Sequence, residues 1–428
     1  MVEGTKVGGK MAGENSKPQT GGQEGLKGKT VAIIGGCGHV GLPLGVKFAL
    51  AGAKTILVDI DAAKVAKING GKFPFVENGG DQQLQTALTM GLSASTEIAS
   101  CASADVVVFV TGTPVDEHLN PKISEVLRIF EVYRDSFRPG ALVIMRSTLF
   151  PGTMEHLHQK VKSEKIDIKL AFCPERVAQG YALDEIDSLP QIVSAFDDES
   201  FNSARKLFSA LAPAIIRLTP LEAELTKLMA NSWRYLEFAI ANQFYMIAES
   251  KGVDFYKIYQ AIRYDYPRAS GYKSPGFSAG PCLFKDTMQL ASFFDHQFYL
   301  GHSAMLVNEG LATFAVDKLA KKLGEKLWGK TIGLLGLGFK ANNDDIRESL
   351  SFKVQKSLVF AGANIIAHDP YIPESTPLED VLKTADALIL CTPHKEYRNL
   401  QPKVPFVDVW GFFEQPKLDI FPGAIGEK

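Results

Sequence analysis

Residues 30–61 read TVAIIGGCGHVGLPLGVKFALAGAKTILVDID. A short β-branched apolar run, Thr30 to Ile34, ends in glycines; an apolar stretch of helical character follows, and residues 54–58 form a second strand-like run closed by Asp59. Strand, glycine turn, helix and strand in that order open a parallel βαβ unit. Within the turn the glycines fall as Gly36-x-Gly38-x-x-Gly41. Gly36 admits a tight turn, Gly38 leaves the backbone bare for a pyrophosphate, Gly41 lets the helix pack closely on the strand, and Asp59 can accept from ribose hydroxyls. The spacing alone is a weak signal, because any structural turn can carry it. The strand before it, the helix after it and the acid beyond make it a dinucleotide site, with Gly36, Gly38, His39, Val40, Gly41, Asp59 and Lys64 as expected contacts. An Asp at position 59 favours NAD over NADP, and Lys64 close behind is the residue that tempers the preference.

Outward from this stretch the alternation continues. ADVVVFVTGTP, ISEVLRIFEVYRDSF, ALVIMRSTL, TMEHLHQKVKSE and IKLAFCPER take turns as strand and helix, which predicts a mostly parallel, doubly wound sheet ending near Leu218. From Thr219, PLEAELTKLMANSWRYLEFAIANQFYMIAESKG keeps helical periodicity far beyond an average helix. KTIGLLGLGFK then repeats the strand-into-glycine design, with SFKVQKSLVFAGA as helix and NIIAHDP and ADALILCTP as strands. The expected fold is α/β: two Rossmann-like doubly wound domains joined by a long central helix. Expected boundaries are a disordered Gly/Lys/Gln/Ser-rich tail at 1–28, a dinucleotide domain at 29–218, a central helical domain at 219–327 and a second Rossmann-like domain at 328–428.

Composition narrows the partner. A net charge of −2 supplies no basic field for nucleic acid or acidic lipid. No apolar run has the length of a signal peptide or membrane span. The 5 cysteines are odd in number, scattered and never arranged as C-x-x-C, which suits a reducing cytoplasm. His156 and His158 lack further ligands at zinc-like spacing, so no metal is expected. A small-molecule substrate is left.

Three further features could carry chemistry. In GFSAGPCLFKD, residues 276–286, Cys282 lies among Pro275, Gly276, Gly280 and Pro281, close before Lys285. A loop makes it reachable and an ammonium favours the thiolate, the nucleophilic form; a buried small hydrophobe is the alternative, and the residues alone leave both open. On the long helix Glu224, Lys227 and Asn231 stand at i, i+3 and i+7, on one face that either lines a cleft or is simply solvated. The second glycine turn has Gly336-x-Gly338 but then Phe339 and Lys340, which argues against a second NAD site. Lys340 and Arg347 there read either as phosphate or nucleotide ligands or as a solvated charged loop.

Taken in order, GCGHVGLPLG, VTGTPVD, STLFPGT, CPERVAQG, ELTKLMANSWRY, YPR, SPGFSAGPCLFKD and GLGFKANNDDIRES resemble the NAD-dependent nucleotide-sugar 6-dehydrogenases, the family that includes UDP-glucose and UDP-N-acetylmannosamine dehydrogenases. The likeness covers nearly everything after the tail. It implies an NAD domain, a helical dimerising middle and a C-terminal domain for the UDP moiety, and an enzyme that takes a sugar C6 alcohol to the acid in two oxidations. By motif position Cys282 would attack the C6 aldehyde, Lys227 and Asn231 would stabilise the oxyanion, Asp286 would assist proton transfer through water, Glu175 would support thioester hydrolysis and Thr148 would position water. Thr113 and Thr148 would contact the cofactor, as would Lys285 and Arg347, which also reach toward substrate. Glu175, Arg176, Val177, Lys227, Asn231, Gly276, Phe284 and Lys340 would contact substrate, with Arg268 doing so from a neighbouring subunit of a homodimer or higher homo-oligomer.

The chain departs from the family pattern where many relatives carry a Gly-Gly pair: Ser278, Ala279, Gly280 and Pro281 precede Cys282, which should stiffen the loop or reshape the sugar pocket. CPERVAQG and RES lean toward the N-acetylhexosamine branch (ManNAc or GlcNAc) and CLFKD toward UDP-glucose; the former is favoured. Two other readings compete. A two-electron hydroxyacid dehydrogenase shares the glycine turn and a lysine and asparagine one helical turn apart but needs no cysteine. A non-catalytic nucleotide-sugar binding protein would need the catalytic set broken, and it is complete here. The expected setting is the cytoplasm, with surface polysaccharide or glycan precursor synthesis as what the resemblance implies.

Overall fold

The computed structural model describes residues 26–112, 122–277, 280–324, 326–413 and 416–421. Thr113, Ser278, Ala279 and nearly all of the expected tail lie outside them. The first sheet holds β1 (Thr30–Ile34), β2 (Lys54–Val58), β3 (Leu92–Ser95), β4 (Val106–Phe109), β5 (Ala141–Met145), β6 (Ile168–Phe172), β7 (Gln191–Ala195) and β8 (Ile215–Leu218). Their spatial order is β3-β2-β1-β4-β5-β6-β7-β8. The strand order reverses between β1 and β4, which run parallel, and this is the crevice where ligands settle in open parallel sheets. Val31 and Ile33 feed one core and Ala32 and Ile34 the other, so both faces are covered by helices. That is why these strands are unbroken apolar runs rather than alternating ones.

β3, β7 and β8 were not singled out in the sequence, being four or five residues long and too short for period alone to separate strand from helix. β7 runs antiparallel to β6. The connection from Phe172 to Gln191 therefore never crosses the sheet and stays at the C-terminal edge of the parallel strands. It carries Glu175, Val177 and Gln179 there.

The helix Pro220–Ser250 runs 31 residues, started by a capping box in which Thr219 and Glu222 bond each other's backbone N–H. It packs against the helices Leu283–Phe293 and Tyr299–Lys322. At about 100° per residue, Glu224, Lys227 and Asn231 share about 60° of arc, and Met229, Trp233, Ile240, Phe244 and Ile247, all exposed, share about 60° on the opposite side. One helix thus separates a polar face from an apolar stripe. The second sheet joins β9 (Thr331–Leu335), β10 (Asn364–His368), β11 (Ala387–Leu390) and β12 (Phe406–Asp408) in the parallel order β10-β9-β11-β12.

Candidate active site

The first glycine turn divides its labour differently from the expectation. Gly35, not Gly36, takes the left-handed conformation, at φ +75°, and both residues donate to the Val58 carbonyl. A Cβ at Gly36 would stand 2.6 Å from the Ile33 oxygen and 2.9 Å from Leu57, so Gly36 is required by the closeness of β2. Gly41 is equally tight, its Cβ position 2.7 Å from Gly36 Cα. Gly38 alone faces open space, with its nearest neighbour 3.7 Å away. Asp59 closes β2 and accepts from the Cys37 N–H at 3.0 Å and the Asp61 N–H at 3.1 Å, which aims its carboxylate across the turn.

Gly35, Cys37, Gly38 and Asp59 line a cavity of about 1040 Å³ that is also lined by Lys227 of the central helix and by Asp344 to Arg347 after the second glycine turn. Bare backbone at Gly38, the start of the helix Gly41–Leu50 and an acid at the second strand together fit a dinucleotide. Lys64 also lines the cavity, but its ammonium is paired with Asp61 at 3.0 Å, which weakens it as a 2′-phosphate ligand. His39 lies tilted against Phe75, with 3.9 Å between ring centres, and burial pulls it down to about 4, so at neutral pH it carries no charge toward Asp345, 3.9 Å away.

The cavity is also lined by Cys282, Lys227, Lys285, Thr148, Glu175, Val177 and Arg347. Cys282 precedes the helix Leu283–Phe293 and is exposed; the other described cysteines are buried. Its thiol opens to the cavity and is ringed by protein on its other sides. Burial, and then the Asp286 charge, push its pKa up, against the pull of Lys285, Lys227 and Arg347. The expectation of an ammonium-favoured thiolate is thus reversed in the resting site: the cations are present and are outweighed.

Asp286 is fully buried one helical turn beyond Cys282. Asn231 donates to one of its oxygens at 2.6 Å and the Lys285 ammonium is 3.8 Å from the other. Burial raises this carboxyl, opposed by Lys285, Lys227 and the Asn231 bond. Glu175 pairs with the buried Arg146 guanidinium through one oxygen and accepts from the Arg176 and Val177 N–H groups at 2.7 and 3.0 Å through the other. It is a fixed acceptor rather than a mobile one. Arg347 grips Asp345 with two nitrogens.

The remaining expected residues sit elsewhere. The Arg176 guanidinium bonds the Pro190 carbonyl, away from the cavity. Phe284 packs beside Tyr235 and Leu236. Gly276 is buried with its Cβ position against Trp410. Arg268 is exposed beside Tyr266. Lys340 donates to the Gln179 carbonyl and lies over the Tyr181 ring. Glu224 does not face the cavity: it accepts from the Gly152 and Met154 N–H groups at 2.7 and 2.8 Å and tethers the start of the helix Thr153–Ser163 to the central helix.

The second glycine turn is closed to a dinucleotide by its own side chains. Asp369 ends β10 as Asp59 ends β2, but it is buried and accepts from Leu337, Gly338, Tyr371 and His394. The loop after Phe339 folds back, with Phe339 N–H on the Asp345 carbonyl. Sequence reasoning missed Arg146, Tyr133, Phe75, Gln179 and Asp344 among the lining residues. Arg146 alone gave a signal, a charge closing the apolar strand ALVIM.

A dinucleotide turn and an accessible cysteine lining one cavity are the parts of an NAD-dependent oxidoreductase acting on an alcohol carbon. The chain matches the UDP-glucose/GDP-mannose dehydrogenase family in three parts: the NAD binding domain at residues 29–212, the central domain at 221–309 and the UDP binding domain at 333–415. It is 30% identical over 382 residues to the UDP-N-acetyl-D-mannosamine dehydrogenase of Pyrococcus horikoshii, covering 86% of this chain and 90% of that one. Against the UDP-glucose 6-dehydrogenase of Bacillus subtilis it is 27% identical, covering 85% and 87%. The solved UDP-glucose dehydrogenase of the archaeon Pyrobaculum islandicum superposes with a TM-score of 0.82 at 26% identity, covering 90% of this chain and 94% of that one. This protein belongs to the UDP-glucose/GDP-mannose dehydrogenase family, and its cofactor is NAD.

Proposed function

We propose that this enzyme oxidises C6 of a UDP-N-acetylhexosamine, with the N-acetylmannosamine sugar favoured, to the uronic acid in two steps through a covalent bond to Cys282. The observation that carries the proposal is the exposed Cys282 in the same cavity as the glycine turn, with Lys227 and Lys285 in its lining and buried Asp286 one helical turn on. NAD, when bound, supplies the acceptor for one hydride in each oxidation. In the first, C6 loses a hydride and its hydroxyl a proton, giving the aldehyde. The Cys282 sulfur then adds to that carbon while its proton passes by way of Asp286, whose raised pKa suits a proton acceptor, to the aldehyde oxygen. The resulting thiohemiacetal cannot diffuse away. Loss of a second hydride and the hydroxyl proton gives a thioester, and water adds to it to release the acid and restore the thiol. Lys227, and the second N–H of the Asn231 amide, answer the oxygen charge that develops in these additions. Thr148 and the fixed carboxylate of Glu175 orient the attacking water.

The sugar assignment is supported by the CPERVAQG and RES segments and by the P. horikoshii relative. We further propose units at 29–218, 219–327 and 328–428, a dimer formed through the apolar stripe from Met229 to Ile247, and a cytoplasmic setting that keeps Cys282 reduced. In such a dimer Arg268 reaches the partner's substrate. Among the described residues no helix is long and apolar enough to cross a membrane, and no cluster of three His, Cys, Asp or Glu could hold a metal.

The test is NADH formed per sugar consumed, at completion, on UDP-N-acetylmannosamine, UDP-N-acetylglucosamine, UDP-glucose and UDP-galactose, with wild type and Cys282→Ala. Two NADH per sugar on the first, lost in the variant, is expected. One NADH per sugar, unchanged in the variant, overturns the covalent mechanism; two NADH on another sugar overturns the substrate alone.

A further inference from the structure

We propose that Asn242, backed by Asn308, is a positioning residue that ties the Cys282 loop to the central helix and so sets where the thiol stands relative to Lys227 and Asn231. The inference rests on the reading of Cys282 as nucleophile. Asn242 is wholly buried, and its side chain pairs with the Gly276 peptide as one peptide pairs with another. The Gly276 N–H donates to Oδ1 at 2.8 Å and Nδ2 donates to the Gly276 carbonyl at 3.1 Å. The second Nδ2 hydrogen goes to Asn308 Oδ1 at 2.9 Å, and Asn308 in turn donates to the Tyr235 carbonyl at 3.1 Å. The relay therefore starts and ends on the central helix. Buried amides are stabilising only when their donors and acceptors are met, and both hydrogens of Asn242 are committed here, which leaves one arrangement available.

An apolar side chain would fill the same space; it would not fix the distance and tilt of the Gly276 peptide. Those two quantities matter because Gly276 begins the short run to Cys282. Asn242 also lies on the helix face of Lys227 and Asn231, at about 100° per residue, so the oxyanion groups and the loop anchor share one rigid element. The other side of the loop meets the C-terminal region. Trp410 occupies the Gly276 Cβ position and stands edge-on to Phe277 at 6.2 Å, and the Gly280 N–H donates to the Glu348 carbonyl at 3.4 Å. Gly276 is thus held by hydrogen bonds from the central helix on one side and by packing against Trp410 on the other.

The experiment compares wild type with Asn242→Leu and the milder Asn308→Ser. Tyr245→Phe serves as a control that loosens the same helix packing without touching the relay. Carbamidomethylation of Cys282 by iodoacetamide at pH 8 is followed by mass spectrometry without substrate, and kcat, the NAD dissociation constant and NADH per UDP-sugar are measured beside it. Asn242→Leu should alkylate at least threefold faster, lose kcat at least 30-fold with NAD affinity within twofold, and form fewer than two NADH per sugar because aldehyde escapes. Asn308→Ser should move the same way, with kcat down three- to tenfold, and Tyr245→Phe should move neither alkylation nor stoichiometry. If Asn242→Leu does not fold, Asn308→Ser decides. Wild-type alkylation in a folded relay variant overturns the proposal. Faster alkylation with unchanged turnover upholds the anchor and instead removes the nucleophile role from Cys282.

Discussion

Replacing Asp286 by Asn should make Cys282 more reactive and the enzyme less active, and the two effects separate the electrostatics of the site from its proton chemistry. The substitution is nearly isosteric at a fully buried position and can still accept from Asn231, whose bond measures 2.6 Å. What it removes is the negative charge that, after burial, does most to raise the thiol. Side chains at i and i+4 are about 6 Å apart, so at an effective dielectric constant of about 20 a full charge acts on the thiolate by about 2.8 kcal/mol. The Lys285 ammonium, 3.8 Å from that carboxyl, offsets part of this, and if about half is left the thiolate becomes about tenfold more abundant. Iodoacetamide labelling of Cys282 at pH 8 should therefore be about tenfold faster in Asp286→Asn. Turnover should fall by about 100-fold or more, the usual contribution of a placed proton acceptor. Labelling that is unchanged or slower in a folded variant, or NADH formation within threefold of wild type, would refute the reasoning.

In wild type, labelling of Cys282 should climb about tenfold per pH unit from pH 7 to pH 9 without a plateau, since its raised pKa keeps the thiol protonated there; a plateau below pH 8 would contradict the site. Gly38→Ala should leave the melting temperature nearly unchanged and weaken NAD binding by about tenfold or more, whereas Gly36→Ala, 2.6 Å from the Ile33 oxygen, should abolish soluble folded protein. Calorimetry and NAD titration distinguish the two. Arg146→Met leaves Glu175 and the Cys173 carbonyl without their buried partner and should cost about 3–5 kcal/mol in urea unfolding. Glu224, raised by burial from 4.5 to about 7, holds its proton in the folded state over a range where the unfolded chain has lost it. Its contribution to stability accordingly falls as pH rises from 4.5 to 7, so Glu224→Gln should gain on wild type by up to about 3 kcal/mol between pH 5 and pH 8 in urea titrations.

Residues 30–61 were legible because each step there is local: a strand, a turn that only glycines fit, and a helix follow one another along the chain. The long helix was legible for the same reason, as 31 residues of sustained periodicity need no partner to be recognised. β3, β7 and β8 were not, because their strand character comes from neighbours in the sheet. Local spacing also placed Glu224 with Lys227 and Asn231 on one face, and the spacing was right; what lies opposite each residue is a matter of packing, and the start of another helix took Glu224 out of the cavity. In the second glycine turn the sequence showed a missing third glycine, but not the Asp369–His394 network that closes it, since those partners are separated by 25 residues.

By itself, then, the sequence determined the class of fold and the dinucleotide turn, which depend on residues close along the chain, and through its family resemblance it named the side chains proposed as reactive. The tertiary structure decided the state of those side chains. Cys282 among small residues and cations is open to either reading until burial is added, and although Asp286 stands only four residues along the chain, burial is a sum over atoms that the fold brings in from the central helix and from loops of both sheets. Solvation acts through space, so no window along the chain contains it.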